Sequence, residues 1–185
     1  MCTIFKYILD SISDNHDRWY KCLSHRIKMA KEKTYRPNVA AIVLSSKYPE
    51  VTEIMVANRI DIRHQAWQFP QGGIDGEETP EEALFRELLE EIGTNEVEIV
   101  AEHPEWISYE FLNKNASKIY PFDGQTQKYF LVKLKEGAKI NLKTEEPEFI
   151  AYKFIPYDDV LRTISKVKRT IYTKVLTYFK KEGYL

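Results

Sequence analysis

The 185-residue chain is 43% hydrophobic and 30% charged, enough apolar content for one domain core and too much for a disordered chain. Its formal net charge of −1 excludes a polybasic protein drawn to nucleic acid by mean charge, leaving local patches to bind anions. With Cys2 and Cys22 alone, no apolar run near the roughly 18 residues of a membrane span and no small-residue cleavage site after the start, a disulfide framework, a Cys-rich zinc site, a spanning helix and a signal peptide are not expected; a cytoplasmic protein is.

Residues 1–34 read as an N-terminal extension without strand alternation, ending in the charge-rich run Arg26–Lys33. Met29 offers a second start, which would make residues 1–28 dispensable; the alternative is an N-terminal helix packed on the domain of residues 35–185. Asn38–Ser45 and Glu53–Ile60 read as buried strands joined by the turn KYPE. Trp67–Pro70 is a short extended piece running into Gly72-Gly73. A helix follows over Pro80–Ile92, with Thr79 as N-cap, Pro80 at its first position, Glu82 three residues after the cap and Gly93 as its stop. Glu96–His103, Trp106–Phe111, Gln127–Leu134 and Phe149–Ile155 are further strands. Lys168–Glu182 is a closing helix with Ile171, Val175, Leu176 and Phe179 on one face. Strands around one central helix, with a helix at the end, predict a mixed sheet between helices.

The central helix carries the chemistry. Glu87, Glu90 and Glu91 stand at i, i+3 and i+4 and share one face, while Ala83, Leu84, Leu88 and Ile92 supply an apolar stripe. Like charges at this spacing repel, so a partner is needed. Oxygen donors without Cys or His indicate a hard divalent cation, Mg2+ or Mn2+, of the kind shared with substrate phosphates. Arg86 is placed to orient one carboxylate by a bidentate bond. The plain alternative for a Glu-rich helix is a solvated surface.

The spacing goes beyond that alternative. Gly72, Glu78, Arg86, Glu87, Glu90, Glu91 and Gly93 resemble the Nudix box, G-x5-E-x7-R-E-U-x-E-E-x-G-U, at every charged and glycine position, with Thr94 departing from its last apolar slot. The resemblance implies an α/β/α sandwich with a mixed sheet, and a hydrolase acting on acid anhydrides of phosphorus. It implies that Glu87, Glu90 and Glu91 hold divalent metal, with Arg86 beside them, and that one glutamate orients or deprotonates the attacking water. Gly72 and Gly73 are expected to turn the backbone sharply after Pro70, and Gly93 to let the helix end close to the sheet.

Outside the box, Tyr35–Ala40 (YRPNVA), Trp67–Gly73 (WQFPQGG), Gly124–Val132 (GQTQKYFLV), Pro147–Phe149 (PEF) and Val167–Tyr172 (VKRTIY) resemble the bacterial RNA pyrophosphohydrolase branch, also described as dinucleoside polyphosphate hydrolases. This implies removal of pyrophosphate from the 5′-triphosphate end of RNA, leaving a 5′-monophosphate suited to decay, or else cleavage of a dinucleoside polyphosphate such as diadenosine tetraphosphate. More than one Mg2+ or Mn2+ ion is expected. By the same resemblance Glu148 is a further metal ligand, and Arg36, Gln125, Lys128 and Lys168 face the polyphosphate. Arg59 is placed to stack on a base and Tyr109 to line the pocket. The loop from Arg59 to Trp67 is about two residues longer than the pattern, and His64 within it has no His or Cys partner nearby, so no metal role is expected of it.

Overall fold

The computed structural model describes residues 32–62, 66–111 and 121–185. The expected extension lies almost wholly outside these residues, as does His64. Within the compact unit Tyr35–Leu185 the elements are β1 (Tyr35–Leu44), β2 (Glu53–Arg59), β3 (Trp67–Gln68), β4 (Gln71–Gly73), α1 (Pro80–Ile92), β5 (Val97–Glu102), β6 (Ile107–Glu110), β7 (Gly124–Leu134), β8 (Phe149–Pro156), α2 (Tyr157–Thr163) and α3 (Lys166–Lys181).

β1 and β7 form the spine. They pair in parallel from Tyr35 opposite Gly124 to Leu44 opposite Lys133, while the other pairings described are antiparallel, so the sheet is mixed. The order β3-β2-β1-β7-β5 is extended by β4 on β1, β6 on β7 and β8 on β2. Alternation along β1 builds two cores, because successive side chains leave a strand on opposite faces. Val39, Ala41 and Val43 pack with Ala83, Leu84, Leu88 and Ile92 of α1. Ala40, Ile42 and Leu44 pack with Val160 of α2 and Tyr172, Val175, Leu176 and Phe179 of α3. The result is the expected α/β/α sandwich, and it fixes α1 by its apolar stripe against one face of the sheet.

α1 has its expected bounds and caps. The Thr79 hydroxyl accepts from the Glu82 N–H while the Glu82 carboxylate accepts from the Thr79 N–H, a reciprocal capping box. Gly93 ends the helix at φ 70°. Thr94 is buried, and its hydroxyl accepts the Glu96 N–H at 3.2 Å, which lets a polar residue fill the box's last apolar slot.

Three expectations are corrected. α2 does not show in the sequence: seven residues give too little periodicity, and Pro156 provides no side-chain cap. β7 begins at Gly124, three residues before the apolar alternation, because Gly124 pairs with Glu110 of β6. α3 begins at Lys166, two residues before the expected start, and its buried face adds Tyr172 to Val175, Leu176 and Phe179, with Ile171 half-buried against the same core.

Candidate active site

Arg86 organises the acidic face of α1. Its Nε and Nη2 donate to the two oxygens of Glu78 at 2.7 and 2.8 Å, its Nη1 donates to Glu87 at 2.9 Å and Glu90 at 3.0 Å, and Nη2 also reaches the Gly73 carbonyl at 2.8 Å. The charge-assisted fork to Glu78 holds that carboxyl down at about 2 and pushes the guanidinium higher still. One cation therefore ties the loop before α1, the helix itself and β4 together.

Glu91 is the buried member of the face, 2% exposed. Its Oε2 accepts the Gln71 N–H at 2.7 Å, and its Oε1 is buried without a hydrogen-bond partner. Burial raises its carboxyl well above the usual range, and the nearby charges of Glu148 and Glu87 add to that. Burial likewise raises Glu87, against the pull of Arg86. Among the described residues no three acidic or imidazole side chains already converge as a metal cage, since Arg86 draws Glu87 and Glu90 to itself. The donor set nonetheless fits a hard divalent cation. It offers oxygen ligands only, a buried carboxylate oxygen lacking a partner, and mutual repulsion that a cation would relieve.

Gly72 and Gly73 serve a different end from the sharp turn expected of them. Neither has positive φ, and both lie in the β4–β1 ladder, Gly72 opposite Val39 and Gly73 opposite Asn38. A Cβ on Gly72 would fall 1.8 Å from the Glu87 carboxylate, and one on Gly73 would fall 2.0 Å from the Arg36 guanidinium. Absent side chains thus make room for an anionic and a cationic head at adjacent positions. Gly93 lies against Asn141 rather than the sheet: its Cβ would meet the Asn141 carbonyl at 2.4 Å, and the Asn141 N–H donates to Ile92 at 2.9 Å.

These groups surround a cleft of about 510 Å³ lined by Arg36, Asn38, Arg59, Gln71, Asp75, Arg86, Glu87, Glu90, Phe111, Phe122, Gln125 and Glu148, with Gly72 and Gly73. A neighbouring cleft of about 550 Å³ shares Glu87, Glu90 and Glu148 and adds Glu91, Leu89, Thr144, Glu145 and Glu146. The glutamates stand between a cationic cleft and an acidic one. Arg59 is held on three sides, with Nε and Nη2 on Asp61 at 2.7 and 3.0 Å and Nη1 on Glu148 at 2.9 Å.

A polar network enters from the other side of the sheet. Lys168 Nζ donates to Gln71 Oε1 at 3.0 Å and to the Tyr109 hydroxyl, which donates to Gln125. Gln127 bonds Asn38 and Gln71 and accepts from Tyr129. Gln71 is the junction: its N–H fixes Glu91 while its side chain meets Lys168 and Gln127. Burial lowers the Lys168 ammonium to about 7, and burial raises the Tyr109 phenol to about 12.

The structure thus brings Arg36, Arg59, Gln125, Glu87, Glu90 and Glu148 to one cleft and joins Tyr109 and Lys168 to it by hydrogen bonds. Lys128 stands apart, buried on the other side of β7 from Gln127, with its ammonium on Glu102 and on the Pro104 carbonyl at 3.3 Å. Sequence reasoning does not single out Asn38, Gln71, Gln127, Phe111 or Phe122. Three of these sit inside YRPNVA, WQFPQGG and GQTQK, so their signal is present there, whereas the two phenylalanines carry none.

The sequence profile of the NUDIX domain matches residues 34–175. An RNA pyrophosphohydrolase of Nitratiruptor sp. is 63% identical over 154 residues, covering 83% of this chain and 99% of that protein. An RNA pyrophosphohydrolase of Sulfurovum sp. is 61% identical over 156 residues, covering 84% and 99%. Among solved structures, the E. coli dihydroneopterin triphosphate pyrophosphohydrolase superposes with a TM-score of 0.59 at 17% identity over 79% of this chain and 99% of its own, a likeness of fold.

Proposed function

The chain belongs to the Nudix family, and from that premise we propose that it is an RNA pyrophosphohydrolase, hydrolysing the 5′-triphosphate end of RNA to a 5′-monophosphate and pyrophosphate. The observation that carries the reading is the meeting of Glu87, Glu90 and Glu148 with Arg36, Arg59 and Arg86 around one cleft. Carboxylates suit a cation and a water; guanidiniums suit a polyanion. The resemblance of the chain over nearly the whole length of its relatives selects RNA among polyphosphates.

Glu87, Glu90, Glu91 and Glu148 are the residues that would hold divalent metal, Mg2+ in this reading. When bound, such an ion supplies Lewis-acid stabilisation of phosphoryl and leaving-group oxygens. The chain's own groups do the rest. Arg86 holds Glu87 and Glu90 in place, and the Gln71 N–H keeps Glu91 directed by one oxygen. Arg36 and Lys168 offset phosphate charge that a cation alone leaves unbalanced, while Arg59, held by Asp61 and Glu148, keeps the base-stacking role the resemblance implies. One water adds to phosphorus, one anhydride P–O bond breaks, and a glutamate takes the proton of the water.

The test is release of pyrophosphate from triphosphorylated RNA with Mg2+, compared with a chelated sample and with diadenosine tetraphosphate. Mg2+-dependent release with higher kcat/KM on RNA is expected. Higher kcat/KM on diadenosine tetraphosphate would replace the RNA reading by the dinucleoside one.

A further inference from the structure

One part of the cationic cleft has no use in binding a polyphosphate. Among its described lining residues, Phe111 and Phe122 are the two large apolar side chains in a wall otherwise built of charged groups, amides and glycines. Both are half-buried, and neither joins the two core clusters. The backbone brings them to one place: Glu110 pairs with Gly124, and the Phe111 N–H donates to the Asp123 carbonyl at 3.0 Å, so the chain leaving β6 runs beside the chain entering β7. The Phe111 ring meets the Tyr109 ring edge-on, with centroids 6.3 Å apart at 84°, and Gln125 and Lys168 hold the Tyr109 hydroxyl. Phe111 is therefore buttressed.

The strand register places this pair along the cleft. Gly72, which makes room for the Glu87 carboxylate, lies opposite Val39; Arg36 lies opposite Gln125, which lies opposite Tyr109; and Glu110 meets Gly124 opposite Tyr35. At roughly 3.3 Å per residue, Arg36 stands about 10 Å along the strands from the glutamate level, and Phe111 about 16 Å. A 5′ end whose scissile anhydride lies at the carboxylates, with its sugar leading past Arg36 and away from the leaving pyrophosphate, carries its first nucleotides toward the aromatic pair.

We propose that Phe111 and Phe122 form a stacking platform for a nucleobase at the 5′ end of the RNA. The proposal rests on the RNA pyrophosphohydrolase reading and adds the subsite that takes the base. A phosphate gains from cations and N–H donors and nothing from a phenyl ring, whereas every base has a π-face that an aromatic ring can cover. Recognition of this kind tolerates any base, because stacking carries little sequence information.

The test uses Phe111→Ala and Phe122→Ala, together with Phe→Leu, which keeps apolar volume without a π-face, and Phe→Tyr, which keeps the ring. KM and kcat on triphosphorylated RNA are measured beside the inhibition constants of inorganic tripolyphosphate and of a nucleoside triphosphate. Removing the rings is expected to raise KM for RNA about tenfold or more with kcat near wild type, in line with alanine substitution at stacked bases. Tyr is expected to restore KM and Leu not to, with tripolyphosphate inhibition unchanged. Full rescue by Leu, or equal weakening of RNA and tripolyphosphate, would overturn the platform. Should the wild type fail on RNA while loss of the rings still weakens the nucleoside triphosphate alone, the RNA reading falls and the platform stands.

Discussion

Glu91 and Lys168 show how single residues set the terms of the site, and Gln71 touches both. Replacing Glu87, Glu90 or Glu91 by Gln keeps size and helix propensity and removes a ligand charge. Turnover on triphosphorylated RNA is expected to fall on the order of a hundredfold or more, as phosphoryl transfer depends on metal electrostatics. In metal-free protein Glu91→Gln is expected to hold or raise the melting temperature, because it removes a buried charge repelled by Glu148 and Glu87. Near-normal Mg2+-dependent turnover in all three variants would contradict the assignment. Lys168 gives the pH dependence. Burial, with Arg59 adding repulsion, lowers its ammonium to about 7, against about 10.4 for an unfolded lysine. Between those values the unfolded chain binds the proton that the folded chain has released, so this group's contribution to stability improves as pH rises through the window and is least favourable below about 7. Bound phosphate supplies the missing counter-charge and favours the protonated form. KM for RNA is therefore expected to rise between about pH 6.5 and about pH 8.5, and Lys168→Arg, charged throughout, is expected to flatten that rise. Parallel KM profiles in the two proteins would remove Lys168 from phosphate binding.

At the scale of elements, α1 is the most legible part of the chain, and its two ends make separable predictions. The capping box, Pro80 and Gly93 are local signals, and local hydrogen bonds decide a helix end, so its bounds need no tertiary information. Thr79→Ala leaves the Glu82 N–H without its acceptor and is expected to cost about 1 kcal/mol in urea unfolding. Gly93→Ala places a Cβ at φ 70° against the Asn141 carbonyl, and a cost of roughly 2 kcal/mol or more is expected. Gly72→Ala should behave in the opposite way. Its Cβ displaces the end of a flexible side chain, so the melting temperature should hold while turnover falls with the misplaced Glu87 carboxylate. The role of Gly72 is not legible in the sequence, because what excludes its side chain is a residue 15 positions away brought near by folding. α2 escapes for a similar reason: its Val160 is buried by contacts from the sheet and α3, which no seven-residue window contains.

The whole molecule sets what neither scale reveals, the order of strands. Alternation marks β1 and β7 as buried, but nothing local states that they pair in parallel across about 80 residues of intervening chain, or that β8 lies on β2. That pairing assembles the site, since it puts Arg36 beside Gln125 and Asn38 beside Gln127. Lys128 shows the limit of a motif: one residue from Gln127, it leaves the strand on the opposite face and meets Glu102 instead of the cleft. The same scale bears on residues 1–28. Both core clusters, the capped helix and every described residue of the cleft belong to Tyr35–Leu185, and the family match begins at residue 34. Each buried face of the sheet is covered by a helix from within that unit, α1 on one side and α2 with α3 on the other. A protein starting at Met29 is therefore expected to fold, to melt within a degree or two of the full chain, and to keep its kcat/KM on triphosphorylated RNA. Thermal unfolding and kinetics on the two proteins side by side check this. A truncated protein that is insoluble, or that melts several degrees lower, would show that the segment packs on the domain. A protein of unchanged stability with raised KM for RNA would assign the basic run Arg26–Lys33 to the substrate instead, because Arg26 and Lys28 are lost with the segment, and a salt-dependent KM difference would identify the contact as one to phosphate.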